Sequence, residues 1–265
     1  MRYQIDHDYH IHSKLSLCSG DPEQSNNFIL SFAEKNGLKR ICLTDHFWDE
    51  KVDGASKWYK WQDYVHVCEA LPLPPSDKVD FIFGAETDLN KEMTLGISKE
   101  RFDNFDFVII PTTHLHMSNN ISEEDGASVE GRTKVWLSRL DGVLDMDLPF
   151  HKIGIAHLVC SLITKDHGDY IKILQSLPED ELRRIFAKAA RVGVGIELNM
   201  FDMQYSDAER DTVLRPFKIA KYQGCKFYLG SDAHHPEDFK GFFDVFDRAI
   251  CDLCLTEADK FHVFQ

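Results

Sequence analysis

Seven short runs rich in β-branched and aromatic residues, mostly separated by helix-period stretches, constrain this chain more than any other feature. The runs fall at 3–11, 40–44, 80–87, 105–112, 152–156, 195–199 and 226–230. The amphipathic stretches fall at 22–36, 56–70, 129–144, 178–192, 207–223 and 236–253. An apolar run, a helix pattern and another apolar run describe parallel strands joined by covering helices. The punctuation agrees, since Gly37, Gly193 and Gly224 follow three helical stretches and Pro178 opens one. No composition shift, repeat or low-complexity segment divides the 265 residues, so a single α/β domain over 1–265 is expected. Segment 71–75 is proline-rich and reads as a loop, and 90–104 is polar with room for a small hairpin. Segment 118–131 is polar, contains glycine, and is expected as a mobile loop near the site.

The runs end in residues of one chemical kind. The first closes with His10 and His12, which lie two apart and therefore share a face. The second closes with Asp45 and His46, the third with Glu86 and Asp88, the fourth with His114 and His116, and the fifth with His157. The last closes with Asp232, His234 and His235. In parallel α/β folds the C-terminal strand ends meet on one rim, where sites are built. Imidazole with carboxylate suits Zn, Mn or Fe better than Ca or a lone Mg. The groups are too many for one tetrahedral ion, so two or three divalent transition ions are expected, with Glu86 or Asp232 as the bridge. Water on such an ion is acidified toward neutrality and becomes a hydroxide nucleophile.

Composition sets the partners. Forty-four acidic against 30 basic residues leave a net charge of −14, which disfavours long nucleic acids and anionic membranes. A cationic centre would still draw a small phosphate ester to such a chain. No apolar run approaches the ~18–20 residues that span a bilayer, and the first eight residues are polar, without a signal-peptide core. Seven irregularly spaced cysteines point to a reducing compartment, so a cytoplasmic location is expected. No Walker loop, GxGxxG or Ser-His-Asp order is present. The pair Cys251 and Cys254 has no second CxxC partner and reads as small buried hydrophobes rather than a zinc site. Trp48, Trp58, Tyr59 and Trp61 follow the second strand and are candidates for a pocket wall or for core.

Taken in order, His10-x-His12, Thr44-Asp45-His46, Glu86, His114, His157 and Ser231-Asp232-Ala233-His234 resemble the polymerase and histidinol phosphatase (PHP) superfamily. The resemblance runs from His10 to His234 and implies a distorted (β/α)7 TIM-like barrel with a trinuclear metal site on its rim. The length, and Ile196-Glu197-Leu198-Asn199, are similar to the stand-alone histidinol-phosphatase branch. Carried over, His10 and His12 would hold one ion with Glu86 and Asp232. Glu86 would bridge to a second ion on His114 and His157, and His46 and His234 would hold a third. Where the family often has a further His or Asp, this chain has Cys18, with Asp21 just beyond, and either could complete the third site. The implied activity is hydrolysis of a small phosphorylated substrate, foremost L-histidinol phosphate to histidinol and phosphate. Asp45, His116 and His235 are the candidates for the group that protonates the leaving oxygen or contacts the phosphate. The rivals are a PHP phosphoesterase for another small phosphate, nucleotide or nucleic-acid end, and a metal-binding regulatory module without catalysis. The oligomeric state is left open.

Overall fold

A computed structural model describes residues 1–263. Its strands are β1 (His7–Ile11), β2 (Arg40–Leu43), β3 (His46–Phe47), β4 (Asp80–Thr87), β5 (Phe107–Pro111), β6 (Ile153–Ala156), β7 (Gly195–Asn199) and β8 (Lys226–Gly230). Every pairing among them is parallel, in the order β1-β2-β4-β5-β6-β7-β8, and the two-residue β3 adds to β4 alone. At the rim β1 meets the end of β8. The Asp232 amide donates to the His10 carbonyl at 2.7 Å, and the His12 amide to the Ala233 carbonyl at 3.1 Å. The result is the expected TIM-like form, a nearly closed parallel barrel of seven strands with helices outside. The helices are α1 (Asn26–Asn36), α2 (Tyr64–Val67), α3 (Glu123–Gly126), α4 (Val129–Val143), α5 (His167–Ser176), α6 (Glu179–Val192), α7 (Arg210–Tyr222) and α8 (Phe242–Asp252). No helix among the described residues is long and apolar enough to cross a membrane.

The strands are apolar on both faces because each face meets a different core. Ile41, Leu43, Val108, Ile110, Ile196 and Leu198 pack outward with helix residues such as Trp136, Phe186 and Phe217. Tyr9, Ile82, Phe107, Tyr228 and Phe261 form a separate cluster that fills the barrel floor. Above the floor the inward positions shrink to glycine. A Cβ on Gly154 would lie 2.5 Å from the Tyr228 ring, and one on Gly230 would lie 2.1 Å from Glu197 Oε1. These glycines leave room for one large ring and one buried carboxylate to cross the lumen. The next inward positions, Glu86, Glu197 and Asp232, are the polar layer that carries the chemistry. Strand β1 adjusts to this layering by a register shift between Asp8 and Ile11. Ile11 thereby joins the outer core while Tyr9 joins the floor and His10 reaches Glu197.

Some helical expectations need correction. The stretch 56–70 is broken, with 3-10 turns at Tyr59–Trp61 and Cys68–Ala70 flanking the single turn of α2. Gln62 interrupts it because its buried side chain accepts from the Leu17 amide while its carbonyl takes the Trp48 amide, and Asp63 then caps a new start. The stretch 236–253 splits at Gly241, whose φ of 79° is left-handed, into a 3-10 turn and α8. Helix α5 was absent from the sequence reading despite its apolar spacing at Tyr170, Ile173 and Leu174. Segment 118–131 holds α3 and the start of α4, capped by Ser122 and Ser128. In 90–104 a single antiparallel bridge, Leu89 to Leu95, and a 3-10 turn stand where a hairpin had room to form.

Candidate metal centre

The strand ends bring all eight expected metal ligands to one rim. His10, His12 and Glu86 are fully buried, and His46, His114, His157 and Asp232 nearly so. His157 (φ 54°), directly after β6, and Asp232 (φ 56°), two residues past β8, are non-glycine residues in the left-handed region. Such backbone is uncommon and concentrates where a chain must aim a functional group.

One set is spaced for a metal ion: His10, His12 and Glu86 each offer a ligand atom within 4.8 Å of the others, and Asp232 approaches both imidazoles. His10 Nε2 and His12 Nε2 face each other at 3.0 Å. Asp232 Oδ1 lies 3.2 Å from each of them. Glu86 Oε2 lies 3.5 Å from His10 Nε2 and 3.2 Å from His12 Nε2. Ligands about 2.0–2.1 Å from a zinc ion stand about 3.3–3.4 Å apart in a tetrahedral site, and these contacts, from 3.0 to 3.5 Å, are close to that spacing. No hydrogen bond reaches either oxygen of the buried Glu86 among the described residues, although imidazoles ring it. A buried, ringed carboxylate without a donor is what a cation would satisfy.

Two further sets adjoin this one. The other Glu86 oxygen, Oε1, is 3.5 Å from His157 Nε2 and 4.0 Å from His114 Nε2, and Asp232 Oδ2 is 3.6 Å from His157 Nε2. His12, Cys18, His46 and His234 offer ligand atoms within 4.8 Å of one another. Of the two alternatives for the third site, Cys18 is therefore in place. Asp21 instead pairs with His235 Nδ1 at 3.0 Å.

Electrostatics in this cluster set imidazoles against carboxylates. Burial alone would lower His10, but Glu197, Asp232 and Glu86 raise it well above the usual imidazole value. His12 and His157 are likewise raised by the carboxylates against the pull of burial. Burial alone would raise Glu86, yet His46 and His10 hold it well below the carboxylate range, and His10 and His157 do the same for Asp232. Burial, with His12 nearby, lowers His234 to about 3.

Carboxylates and a hydroxyl hold the imidazoles from behind. Glu197 Oε1 is 2.6 Å from His10 Nδ1, and its Oε2 accepts the His157 amide at 2.8 Å. Asp88 Oδ2 is 3.2 Å from His114 Nδ1, and Ser16 Oγ is 3.0 Å from His12 Nδ1. Such contacts set the tautomer and the ring angle. Asp88 is itself gripped by Arg139, whose buried guanidinium also takes the carbonyls of Thr112, Asn90, Asn120 and Leu89. Sequence reasoning placed Asp88 on the rim without a separate role and assigned none to Glu197, Ser16 or Arg139. For Glu197 a signal existed, a lone acid inside a strand that is otherwise apolar up to its end.

The three expected proton donors separate. Asp45 accepts from the Ser13 amide (2.7 Å), Ser13 Oγ (2.7 Å) and Ser16 Oγ (2.6 Å). Three donors on one carboxylate make it an acceptor that braces the loop and, through Ser16, His12. His235 is turned to Asp21 and does not line the cavity above the cluster. His116 does line it. That cavity, about 430 Å³, is walled by His116, Trp58, Met117 and Leu162 over Cys18, His46, Glu86, His114 and His157. Burial and the neighbouring His114 lower His116 to about 4. Of the four aromatics only Trp58 reaches the wall, its ring 4.6 Å from His46. Tyr59 is buried behind it against Trp48, and Trp61 is on the surface. Cys251 and Cys254 are exposed rather than buried, because Cys254 lies past the end of α8, and no candidate metal group among the described residues includes them.

Comparison with known proteins bears on the family and the fold. Residues 8–201 match the PHP domain family model. The fold is similar to histidinol phosphate phosphatase from Lactococcus lactis subsp. lactis, solved with zinc, L-histidinol and phosphate, with TM-score 0.63, 18% identity and 92% of each chain covered. It is also similar to a Listeria monocytogenes protein provisionally described as a histidinol phosphatase, with TM-score 0.58, 12% identity, and 91% of this chain and 99% of that one covered. At such identities the likeness is one of fold. No curated protein matches the sequence.

Proposed function

The chain belongs to the PHP domain family, and from that premise we propose that it is a metal-dependent phosphomonoesterase whose leading substrate is L-histidinol phosphate. The observation that carries the reading is the convergence of Asp232 and Glu86 on the facing imidazoles of His10 and His12, with the second oxygens of both carboxylates turned to the adjoining set. These residues, with His114, His157, His46 and His234, would hold two or three divalent ions of Zn, Mn or Fe, which would supply positive charge for a phosphate and acidify a water toward neutral pH. Glu86 and Asp232 each span neighbouring sets, which keeps those sets at fixed separation. Glu197 and Asp88 hold His10 and His114 in the tautomers that leave Nε2 free. No Lys or Arg lines the cavity above the cluster among the described residues. A dianionic phosphate entering it therefore depends on the cluster for its countercharge. His116 stands on the wall, where it can donate an N–H to phosphate or to the leaving oxygen, while Trp58, Met117 and Leu162 exclude water.

The phosphatase solved with zinc, histidinol and phosphate supports the choice of substrate by its fold. The net charge of −14 weighs against long nucleic acids. The test is kcat/KM for L-histidinol phosphate, an aryl phosphate and single-stranded DNA, at one pH, on protein reloaded with zinc or manganese. Histidinol phosphate should react well above the aryl ester, and DNA should remain intact. Equal, slow turnover of both esters would remove the substrate. Inert metal-loaded protein would remove the phosphoesterase.

A further inference from the structure

Beside the cavity over the metal centre a second one opens, about 370 Å³, and the two share His157, Leu162, Asp232 and His234 as a common wall. Its far side is formed by Tyr170, Phe201, Asp202, Tyr205 and Glu209. No Lys or Arg lines it among the described residues. Asp202 is 8% exposed and sits on the turn after β7, where Asn199 Oδ1 holds the next amides in place. Its Oδ2 accepts only the Val159 amide, at 3.3 Å, and its Oδ1 has no hydrogen-bond partner among the described residues. Glu209, nearer the surface, is committed to Ser206 and to His167 at 2.6 Å. Tyr205 donates its hydroxyl to Asp252 at 2.8 Å, which locks the ring as part of the wall.

Asp202 has His157 and Cys160 ligand atoms within 4.8 Å, yet one of its oxygens accepts no hydrogen bond, and a buried carboxylate with an unused oxygen in a pocket that no Lys or Arg lines among the described residues can take a cationic donor from outside. Aromatic faces nearby favour the same charge. An ester whose phosphate sits at the cluster has its organic end beside the four residues that line both cavities. We propose that this second cavity is the subsite for an ammonium group on the leaving alcohol, with Asp202 as its acceptor and Tyr170 and Phe201 as its flanks. The proposal rests on the phosphomonoesterase reading for its place in turnover, but not for its binding chemistry. It makes the protein selective for amino-alcohol phosphates over esters of the same length without the amine. Asp202 would determine specificity and would not take part in bond breaking.

Two measurements test it on metal-loaded protein. In the first, kcat/KM is compared for L-histidinol phosphate and its des-amino analogue. Wild type should favour the amine at least about tenfold, the scale of one charge-assisted hydrogen bond. Asp202→Asn should bring that ratio close to one through a raised KM, with metal content and des-amino turnover nearly unchanged. In the second, L-histidinol is titrated calorimetrically into wild type, Asp202→Asn and Glu209→Gln. The Asp202 variant should bind about tenfold more weakly, and the Glu209 variant should change less. An unchanged amine preference in a folded Asp202→Asn overturns the subsite. Parallel loss of both substrates with loss of metal also overturns it, because Asp202 would then act through the nearby His157. Asp202-dependent histidinol binding without hydrolysis of any ester would sustain the subsite and remove the phosphoesterase instead. If Asp202→Asn does not fold, an unchanged amine preference in Tyr170→Leu or Phe201→Ala overturns the proposal in its place.

Discussion

Replacing Glu197 with glutamine probes how far the metal centre depends on a residue one step behind its ligands. Glu197 is fully buried, with Oε1 2.6 Å from His10 Nδ1 and Oε2 2.8 Å from the His157 amide. Both partners are donors whenever His10 keeps Nε2 free for an ion. Glutamine has the same shape but one acceptor and one donor head, so in either orientation an NH2 faces an N–H. Turned toward His10, it drives the imidazole proton to Nε2, the atom that lies 3.0 Å from His12 and 3.2 Å from Asp232. Turned toward His157, it leaves a buried backbone donor unpaired. An unpaired buried donor costs about 1–3 kcal/mol. Loss of a carboxylate behind a metal-bound imidazole costs about 10–100-fold in affinity or activity, about 1.4–2.8 kcal/mol at 1.4 kcal/mol per decade. The two estimates agree. At roughly 2 °C per kcal/mol for a chain of this size, Tm should fall by about 2–6 °C. The assay is zinc competition against a chromophoric chelator, followed by kcat/KM at limiting and at excess zinc. Zinc affinity should drop about 10–100-fold, with activity recovering as zinc is raised. A folded variant with wild-type zinc affinity and wild-type activity would refute the reasoning.

Other perturbations reach different parts of the molecule. Arg139→Met strips a 2%-exposed guanidinium from four carbonyls and Asp88, and breaking such a buried pair costs about 3–5 kcal/mol. Thermal unfolding should shift down by about 6–10 °C, and an unmoved Tm would show the network to be dispensable. Because His10, His12 and His157 are raised, metal uptake must expel protons, and affinity should weaken as pH falls. Calorimetry in buffers of differing ionisation enthalpy should return at least about one proton released per chain, whereas a zero slope contradicts the raised imidazoles. Half-buried Asp6 is lowered, since its bonds to His7 and Lys260 outweigh burial. A depressed carboxyl contributes stability above its unfolded pKa of about 4 and loses it as pH falls further. The urea-midpoint gap between wild type and Asp6→Asn should therefore narrow between pH 7 and pH 3, and a constant gap would contradict the pairing.

The barrel and its ligand rim were legible in the linear chain because both are written in local periodicity. Runs such as 80–87 and 226–230 are apolar on both faces, and each ends in an acid that the i+2 rule sends inward. Hence Glu86 and Asp232 were placable before any coordinates, and so were His10 and His12. The break at Gln62 and the split at Gly241 were not, because long-range contacts to Leu17 and Trp48, and a left-handed glycine, override a good helical pattern. The choice between Cys18 and Asp21 depended on a loop closing onto His234 from the far end of the chain. Asp45 and His235 looked like proton donors until packing turned one to Ser13 and Ser16 and the other to Asp21. Glu197, Arg139 and Asp202 act through partners 187, 51 and 43 residues away. Strand identity and facing follow from neighbours two to four residues apart, which a sequence displays. Which donor meets which acceptor in the lumen follows from closure of the whole barrel, and only the folded chain brings those groups within hydrogen-bonding distance.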